Sequence, residues 1–325
     1  MHRAFIILAR VATLLALTVV VLGAWVRATD AGLGCPDWPT CYGRLVVSKQ
    51  LATSPRVARE FAGRPVNTGK AWHEMIHRYV ASTLGLLCLA LAVIGWTNRR
   101  DPEQSWRVPL VLAVLVILQG LLGMWTVTLL LEPIIVVAHL LGGMATLGLL
   151  FWLSRWRRGW PVRTTSSLKA AGLVAGLVLV AQIALGGWTS ANYAALACPD
   201  FPTCQTQWWP QTADFKDAFV LWRNVDVDYE GGVLDHPARV AIHFTHRLGA
   251  LLTMIVAGLL GVLLVRRRST RWDGGAVLLA LGAQLALGIS IVEFSAPLAV
   301  AVAHNGMAAL LLLTVINANQ RIWHH

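Results

Sequence analysis

Residues 80–96 read VASTLGLLCLALAVIGW, an apolar run without a charged side chain. Similar runs recur along the 325-residue chain, of which 56% is hydrophobic and 13% charged. Each run is close to the ~20 residues that a helix needs to cross a bilayer. The sequence therefore predicts an all-α integral membrane protein with eight transmembrane helices, near residues 5–26, 80–96, 108–130, 134–153, 170–190, 238–265, 276–294 and 298–318.

Positive charge is concentrated in three loops between these runs, and the net charge is +11. The basic loops contain Arg99, Arg100 and Arg107; Arg155, Arg157, Arg158, Arg163 and Lys169; and Arg266, Arg267, Arg268 and Arg271. The turns near Glu132 and Ser295 have no Lys or Arg. By the positive-inside rule, the basic loops and both termini are cytoplasmic. This distribution predicts a multi-pass protein of the inner (plasma) membrane, with the lipid bilayer and no nucleic acid as partner.

The chain repeats itself. The stretches CPDWPTC (35–41) and CPDFPTC (198–204) are identical at six of seven positions. Further matches follow in the same order: Ile76-His77-Arg78 with Thr245-His246-Arg247, 119–123 with 284–288, and Ala138-His139 with Ala303-His304. These matches predict two duplicated four-helix bundles in parallel orientation, related by an axis along the membrane normal. The expected halves are 1–154 and 169–325, joined by a cytoplasmic linker, 155–168.

Four histidines recur in both halves and lie inside predicted helices: His77, His139, His246 and His304. Ionisable side chains in a membrane helix are costly and mark function. Each is expected about five to eight residues past the point where its helix enters from the outer face, roughly 7–12 Å deep at 1.5 Å per residue. We therefore expect two facing pairs at one level, toward the outer face, because two such imidazoles are common axial ligands of a heme. A hydrogen bond between helices is the alternative for any single histidine.

The residues beside these histidines differ between the halves in one respect. Arg78 and Arg247 each follow a candidate ligand and are expected to bind heme propionates, with snorkelling to the interface as the alternative. Three residues before the ligand, the first half has Glu74 and the second has His243. A carboxylate in one half only predicts chemistry in the N-terminal half and a supporting role for the other. A hydrogen bond to a ring nitrogen is the alternative role for Glu74.

The stretch HEMIH (73–77) also matches the H-E-x-x-H motif of zinc proteases. Among carboxylates in the other helices, Glu293 is the one serious candidate for a third ligand, and the second half does not repeat the motif. An intramembrane zinc protease is therefore a remote alternative. His73, like His243, is treated as a secondary residue of the site.

Cysteines occur in pairs in the two outer loops, Cys35 with Cys41 and Cys198 with Cys204. Because the outer environment is oxidising, the simplest account is one disulfide within each loop. A structural role is favoured over a redox role. Cys88 lies inside a predicted helix, where it is expected to be a small apolar filler.

Taken together, CPDWPTC, E-x-x-H-R at 74–78, CPDFPTC, H-x-x-H-R at 243–247 and the two Ala-His pairs resemble the heme A synthase family over almost the whole chain. The resemblance implies an oxidoreductase that converts the C8 methyl of heme O to the formyl group of heme A, for cytochrome oxidase. It implies successive hydroxylations with water as the oxygen source. It also implies heme b on His246 and His304, substrate heme on His77 and His139, and Glu74 as catalytic residue. Heme O synthase and cytochrome oxidase assembly proteins are partners expected by analogy.

Two other functions stay open on the sequence. One is a di-heme b-type membrane cytochrome that passes electrons from quinol, and the other is a transporter built from parallel repeats. Residues 205–237 match no motif, and their role is open. The sequence is compatible with a homo-oligomer but fixes neither the oligomeric state nor the electron acceptor.

Overall fold

The structure is a computed structural model that describes residues 2–61, 65–102, 104–155, 164–223 and 227–323. Most of the expected linker 155–168, with Arg157, Arg158 and Arg163, lies outside the described residues, as do 224–226 of the unassigned loop. Within the described residues the regular structure is helical, with two isolated β-bridges and no strand. The predicted all-α class is confirmed.

Eight helices in the described chain are long and apolar enough to cross a membrane, as predicted. Two further helices, α2 and α7, are short and lie in loops. In chain order the helices are α1 (His2–Ala28), α2 (Pro55–Glu60), α3 (Thr68–Thr97), α4 (Arg107–Thr128), α5 (Pro133–Ser154), α6 (Ser166–Ala191), α7 (Phe215–Ala218), α8 (His236–Val265), α9 (Arg271–Glu293) and α10 (Leu298–Trp323).

Local signals set several helix ends. Asn67 caps α3 by accepting a hydrogen bond from the backbone N–H of Lys70, and Thr165 caps α6 in the same way. Left-handed backbone follows α1 and α6 at matching positions, with φ of 48° at Asp30 and 52° at Tyr193. The chain thus turns out of the first helix of each half with the same backbone geometry.

The long helices contact one another in two rings. In the first ring α1 packs on α3, α3 on α4, α4 on α5, and α5 on α1. In the second ring the same order holds for α6, α8, α9 and α10. Contacts of α1 with α10, α5 with α6, and α5 with α10 join the rings. The same set of helix contacts results when each helix of the first ring is replaced by its counterpart in the second ring, and vice versa. This symmetry supports the proposed duplication into two bundles.

One apolar core runs through both rings. Its fully buried members include Phe5 in α1, Leu147 in α5, Val277 in α9 and Leu311 in α10. Since these side chains form one cluster, the rings are packed as one body rather than tethered as separate domains.

Both predicted disulfides are formed, Cys35–Cys41 and Cys198–Cys204. They lie in the long segments after α1 and after α6, and we call the end of the bundle that carries them the loop end. Cys88 is a buried free cysteine inside α3.

The helices α3 and α8 are longer than the other spanning helices, at 30 residues each. That length is about 45 Å at a rise of 1.5 Å per residue, whereas a bilayer's hydrocarbon core is about 30 Å thick. His77 consequently stands nine residues after Thr68, and His246 ten residues after His236. The expected five to eight residues were too few for these two because their helices begin before the apolar run does.

Candidate functional site

Each of the four recurring histidines packs against a glycine of a neighbouring helix. A Cβ atom built on these glycines would touch the ring atom Cε1, and on three of them it would lie closer than ordinary van der Waals contact. The pairs and distances are His77 with Gly23 (3.2 Å), His139 with Gly123 (3.5 Å), His246 with Gly186 (3.2 Å) and His304 with Gly288 (3.1 Å). The missing side chain therefore lets each ring lie directly against a helix backbone.

The four glycines have the same position relative to the loop end. Each stands five residues before the last residue of its helix; these last residues are Ala28 in α1, Thr128 in α4, Ala191 in α6 and Glu293 in α9. Five residues rise about 8 Å in an α-helix. This register supports the predicted common level of the four rings.

The histidines form one pair in each half. The imidazoles of His77 and His139 lie within electrostatic range of each other, and so do those of His246 and His304. In each pair, one ring comes from the second and one from the fourth long helix of its half. This pairing agrees with ligands from facing helices, as expected from the sequence.

Glutamines stand beside two of the rings, both in the second half. Gln182 Nε2 lies 3.1 Å from His246 Nδ1 and donates to the His246 carbonyl at 3.0 Å. Gln284 Nε2 lies 3.2 Å from His304 Nε2. Sequence reasoning noticed Gln284 as part of the repeat but missed Gln182, which occupies the position of Val19 in the first half. Gln182 could have been found from the sequence, because it is an uncharged polar residue within an apolar span.

Buried polar atoms without a partner concentrate at this level. Of eleven such side-chain atoms in the described residues, six belong to the histidines and the glutamines around them: Nδ1 of His77, His139 and His304, Nε2 of Gln119, and Oε1 of Gln182 and Gln284. Buried polar groups are normally satisfied because an unmet hydrogen bond is costly. Three of the four rings thus have a nitrogen without a partner. Imidazoles in facing pairs are a donor set that fits two heme irons.

Two further glycines near the histidines, Gly142 and Gly249, pack against glutamines instead. A Cβ atom on Gly142 would collide with the side chain of Gln119, and one on Gly249 with that of Gln182. These glycines therefore accommodate the glutamines, and Gly23, Gly123, Gly186 and Gly288 accommodate the histidines.

Glu74 is a buried carboxylate with 5% of its surface exposed. Its Oε2 accepts a hydrogen bond from the backbone N–H of Cys35 at 2.9 Å, and its Oε1 forms an ion pair with Arg78 Nη2 at 2.5 Å. Both carboxylate oxygens are thus held, one by the disulfide loop and one by the next turn of α3.

His243 takes the place of Glu74 in the second half. Its Nδ1 accepts a hydrogen bond from the backbone N–H of Cys198 at 3.1 Å, and its Nε2 lies 3.3 Å from Nε of Arg247. Glu74 and His243, which correspond in the sequence repeat, therefore also make corresponding contacts in the structure. The two halves hold different side chains by the same backbone donor.

The guanidinium groups of Arg78 and Arg247 are directed at the disulfide loops. Arg78 Nη1 donates to the carbonyls of Asp37 at 3.0 Å and Thr40 at 2.8 Å. Arg247 donates in the same way to the carbonyls of Asp200, Thr203 and Cys198 at 2.7, 2.7 and 2.8 Å. The predicted pairing with propionates stays a prediction, and any propionate would share these groups with the loops.

The two disulfide loops share the same internal hydrogen bonds, which are centred on an aspartate. In the first loop the Asp37 carboxylate accepts hydrogen bonds from Thr40 Oγ1 and from the backbone N–H groups of Tyr42 and Gly43. Asp200 does the same in the second loop. Burial alone would raise the pKa of Asp200, but hydrogen bonds from Thr203 and from the backbone outweigh it, so its pKa lies below the usual range.

His73, one helical turn before His77, packs on α1. Its ring centroid is 3.9 Å from that of Trp25, and its Nδ1 is 3.2 Å from Thr29 Oγ1, both on or just after α1. Within the described residues no three His, Cys, Asp or Glu side chains cluster as a metal site. The zinc-protease alternative therefore has no ligand set there.

The unassigned loop 205–237 reaches across to the first half. Glu230 forms an ion pair with Lys70 in the first turn of α3 at 2.9 Å, and the backbone N–H of Tyr229 donates to the Leu130 carbonyl at 3.0 Å. Burial and a hydrogen bond with Glu132 raise the pKa of Tyr229 to about 12. This segment thus connects the two halves at the loop end, a role that the sequence did not reveal.

These features define a polytopic helical membrane protein with two pairs of buried histidines and one buried carboxylate at its loop end. A family model described as COX15-CtaA, cytochrome oxidase assembly protein, matches residues 6–316. A heme A synthase of Shewanella oneidensis is 43% identical, covering 98% of this chain and 96% of its own. Heme A synthases of Halalkalibacterium halodurans and Paracoccus denitrificans are 27% and 29% identical over 97% and 94% of this chain and 96% and 84% of theirs. The chain belongs to the COX15-CtaA family of cytochrome oxidase assembly proteins, as the sequence motifs indicated.

Proposed function

We propose that this protein is a heme A synthase, an oxidoreductase that converts the C8 methyl of heme O to a formyl group. The observation that carries the proposal is the combination of one histidine pair in each half with a buried carboxylate, Glu74, in only one of them. The name of the 43% identical relative supports the same activity.

The two histidine pairs have different tasks in this proposal. His77 and His139 bind the substrate heme, because the reactive carboxylate belongs to their half. His246 and His304 bind heme b, which supplies a redox-active iron when bound. Gln182, which hydrogen-bonds to the His246 ring and backbone, orients that ligand, since partners of a ligating imidazole fix its tautomer and rotation.

Glu74 is proposed as the acid–base group. Conversion of a methyl to a formyl group with water as the oxygen source releases four protons and four electrons. The electrons would leave through the iron of heme b, when bound, to an external electron acceptor. A carboxylate that is held at both oxygens but buried is suited to accept protons from the methyl group or from water. Successive hydroxylations then require Glu74 to pass each proton on, and its position near the loop end keeps that route short.

The proposed setting is the inner membrane. Both termini and the Arg-rich loops are cytoplasmic, and the loop end, with the heme sites, faces outward. Heme O synthase, which would supply the substrate, and cytochrome oxidase assembly proteins, which would receive the product, are the proposed partners. The proposed halves remain 1–154 and 169–325.

Extraction of hemes tests the proposal directly. The protein is expressed together with a heme O synthase, purified, reduced for an optical spectrum, and its hemes are separated by chromatography. We expect a b-type bis-histidine spectrum and heme A in cells that express the protein. Heme b alone, with no heme O or heme A, would identify an electron-transfer cytochrome, and absence of heme would favour a transporter.

A Glu74→Gln variant tests the catalytic assignment. It keeps the size of the side chain but removes the base, so we expect both hemes to stay bound while conversion falls by about 100-fold or more. The measurement is the ratio of heme A to heme O in extracts, normalised to bound heme b. A normal ratio would remove Glu74 from the mechanism.

A further inference from the structure

Arg78 is one of several residues that fasten the disulfide loop after α1 to α3. The Arg78 side chain is 13% exposed, and its Nη1 faces the carbonyls of Asp37, Pro39 and Thr40 at 3.0, 3.3 and 2.8 Å. Its Nη2 forms the 2.5 Å ion pair with Glu74. One guanidinium therefore connects the loop backbone with the carboxylate.

The loop in turn has a rigid shape on the side that meets Arg78. The Asp37 carboxylate gathers three donors from residues 40–43, and the backbone of Cys41 pairs with that of Arg44. A Cβ atom on Gly34 would lie 2.6 Å from the backbone of Lys70, so the loop also lies directly on α3. The carbonyls that hold Arg78 are consequently fixed in place.

The second half contains the same frame around another residue. Arg247 binds the carbonyls of the Cys198–Cys204 loop and reaches His243, which accepts the N–H of Cys198. In both halves the arginine and the disulfide loop make corresponding contacts, although the side chain between them is Glu74 in one half and His243 in the other. We therefore infer that these contacts serve to fix the side chain one helical turn before the arginine.

We propose that Arg78 is a positioning residue that fixes the Glu74 carboxylate by tying it to the carbonyls of the Cys35–Cys41 loop. This inference rests on the proposed role of Glu74. A carboxylate accepts about four hydrogen bonds, so the contacts with Arg78 and Cys35 orient it and leave acceptor capacity for the reaction. The disulfide loop then covers Glu74 on the side of the loop end. In this proposal Arg78 does not bind a heme propionate.

The two roles for Arg78 predict different defects. A residue that binds a propionate contributes to heme O affinity, so its loss weakens binding. A residue that positions Glu74 contributes to conversion, and displacement of a catalytic group by about 1 Å costs about 100-fold in rate. Affinity and conversion must therefore be measured separately on the same variant.

The test compares Arg78→Gln, Arg78→Lys and Tyr79→Phe with the unmodified protein. Tyr79→Phe is the matched control, because its hydroxyl also donates to this loop, at the Leu45 carbonyl, but does not touch Glu74. Heme O affinity is measured by optical titration of purified protein. Conversion is measured as the heme A to heme O ratio in cells, and bound heme b reports on folding.

For Arg78→Gln we expect about 100-fold lower conversion, heme O affinity within about 3-fold of normal, and normal heme b. Arg78→Lys keeps the charge but lacks the planar fork that reaches both loop and carboxylate, so we expect an intermediate loss. If the Gln variant does not accumulate, Arg78→Lys decides alone. Weaker heme O binding with normal conversion, or full conversion by Arg78→Lys, would overturn the proposal. Failure of the unmodified protein to make heme A would instead refute the proposed function.

Discussion

At the scale of single residues, close packing of a histidine on a glycine is the recurring unit. In the second half both glycines leave little room, since a Cβ atom on Gly186 or Gly288 would lie 3.2 or 3.1 Å from the ring of His246 or His304. A methyl group at either position would push the ring by a few tenths of an ångström. Metal sites need their ligands held within about 0.5 Å, so a shift of this size takes up much of that tolerance and weakens binding without abolishing it.

A Gly186→Ala variant is therefore expected to weaken heme b retention by about 10-fold, although alanine favours the helix by up to ~1 kcal/mol. Gly176→Ala in the same helix is the control, because a Cβ atom there meets nothing within 4 Å. The measurement is the heme b content after purification. Equal heme contents in the two variants would contradict the assignment of His246 as a ligand.

The sequence predicted which residue types gather at the site but not where each side chain points. Duplication identified His77 and its counterparts, because a repeated costly residue stands out against an apolar background. Glu74 stood out for the opposite reason, since the second half has His243 in its place. The direction of Arg78 toward the loop could not be predicted, since it depends on how residues 34–44 fold back onto α3. That path is set by tertiary contacts such as the one between Gly34 and Lys70.

At the scale of elements, the two disulfide loops serve different partners. The N–H of Cys35 binds Glu74, whereas the N–H of Cys198 binds His243 and the carbonyl of Cys198 binds Arg247. Closing a loop this short restricts the unfolded chain by about 2 kcal/mol. Removing either disulfide should therefore loosen the local frame without unfolding the helices.

Serine replacement of each cysteine pair separates the two effects. Replacing Cys35 and Cys41 is expected to lower conversion of heme O and leave heme b bound. Replacing Cys198 and Cys204 is expected to lower heme b retention first. Heme extraction and optical spectra of both double variants check this, and identical defects in the two would show that the loops do not act on separate sites.

Element boundaries were predicted well where polarity changes abruptly and poorly where it does not. The ends of α4 and α9 follow the apolar runs closely. The start of α3 does not, because its first turns are amphipathic and the loop after α1 packs on them, whereas α8 begins within two residues of its predicted span. The link from Glu230 to Lys70 escaped prediction for a similar reason, since it joins residues 160 positions apart.

At the scale of the whole molecule, the two rings share one core and one orientation. The turn between α8 and α9 is Arg-rich and lies at the end opposite the loop end, whereas the turn between α9 and α10 lies at the loop end. Charge therefore predicts opposite sides of the membrane for these two turns.

Single cysteines test this topology. In a Cys88→Ala background, Ser295→Cys is expected to react with an impermeant maleimide in spheroplasts, and Ser269→Cys only after the membrane is broken. Both positions are exposed turns, so access to the reagent is limited by the membrane alone. Labelling of Ser269→Cys in sealed spheroplasts would reverse the proposed orientation.

The glycine register has a consequence for how such a molecule can vary. The helices α1, α4, α6 and α9 have 27, 22, 26 and 23 residues, yet each keeps the same five residues beyond its glycine. All the difference in length lies toward the opposite end. Only the distance from the site to the loop end is therefore constant. The opposite ends of these helices are free to be lengthened or shortened to suit bilayers of different thickness.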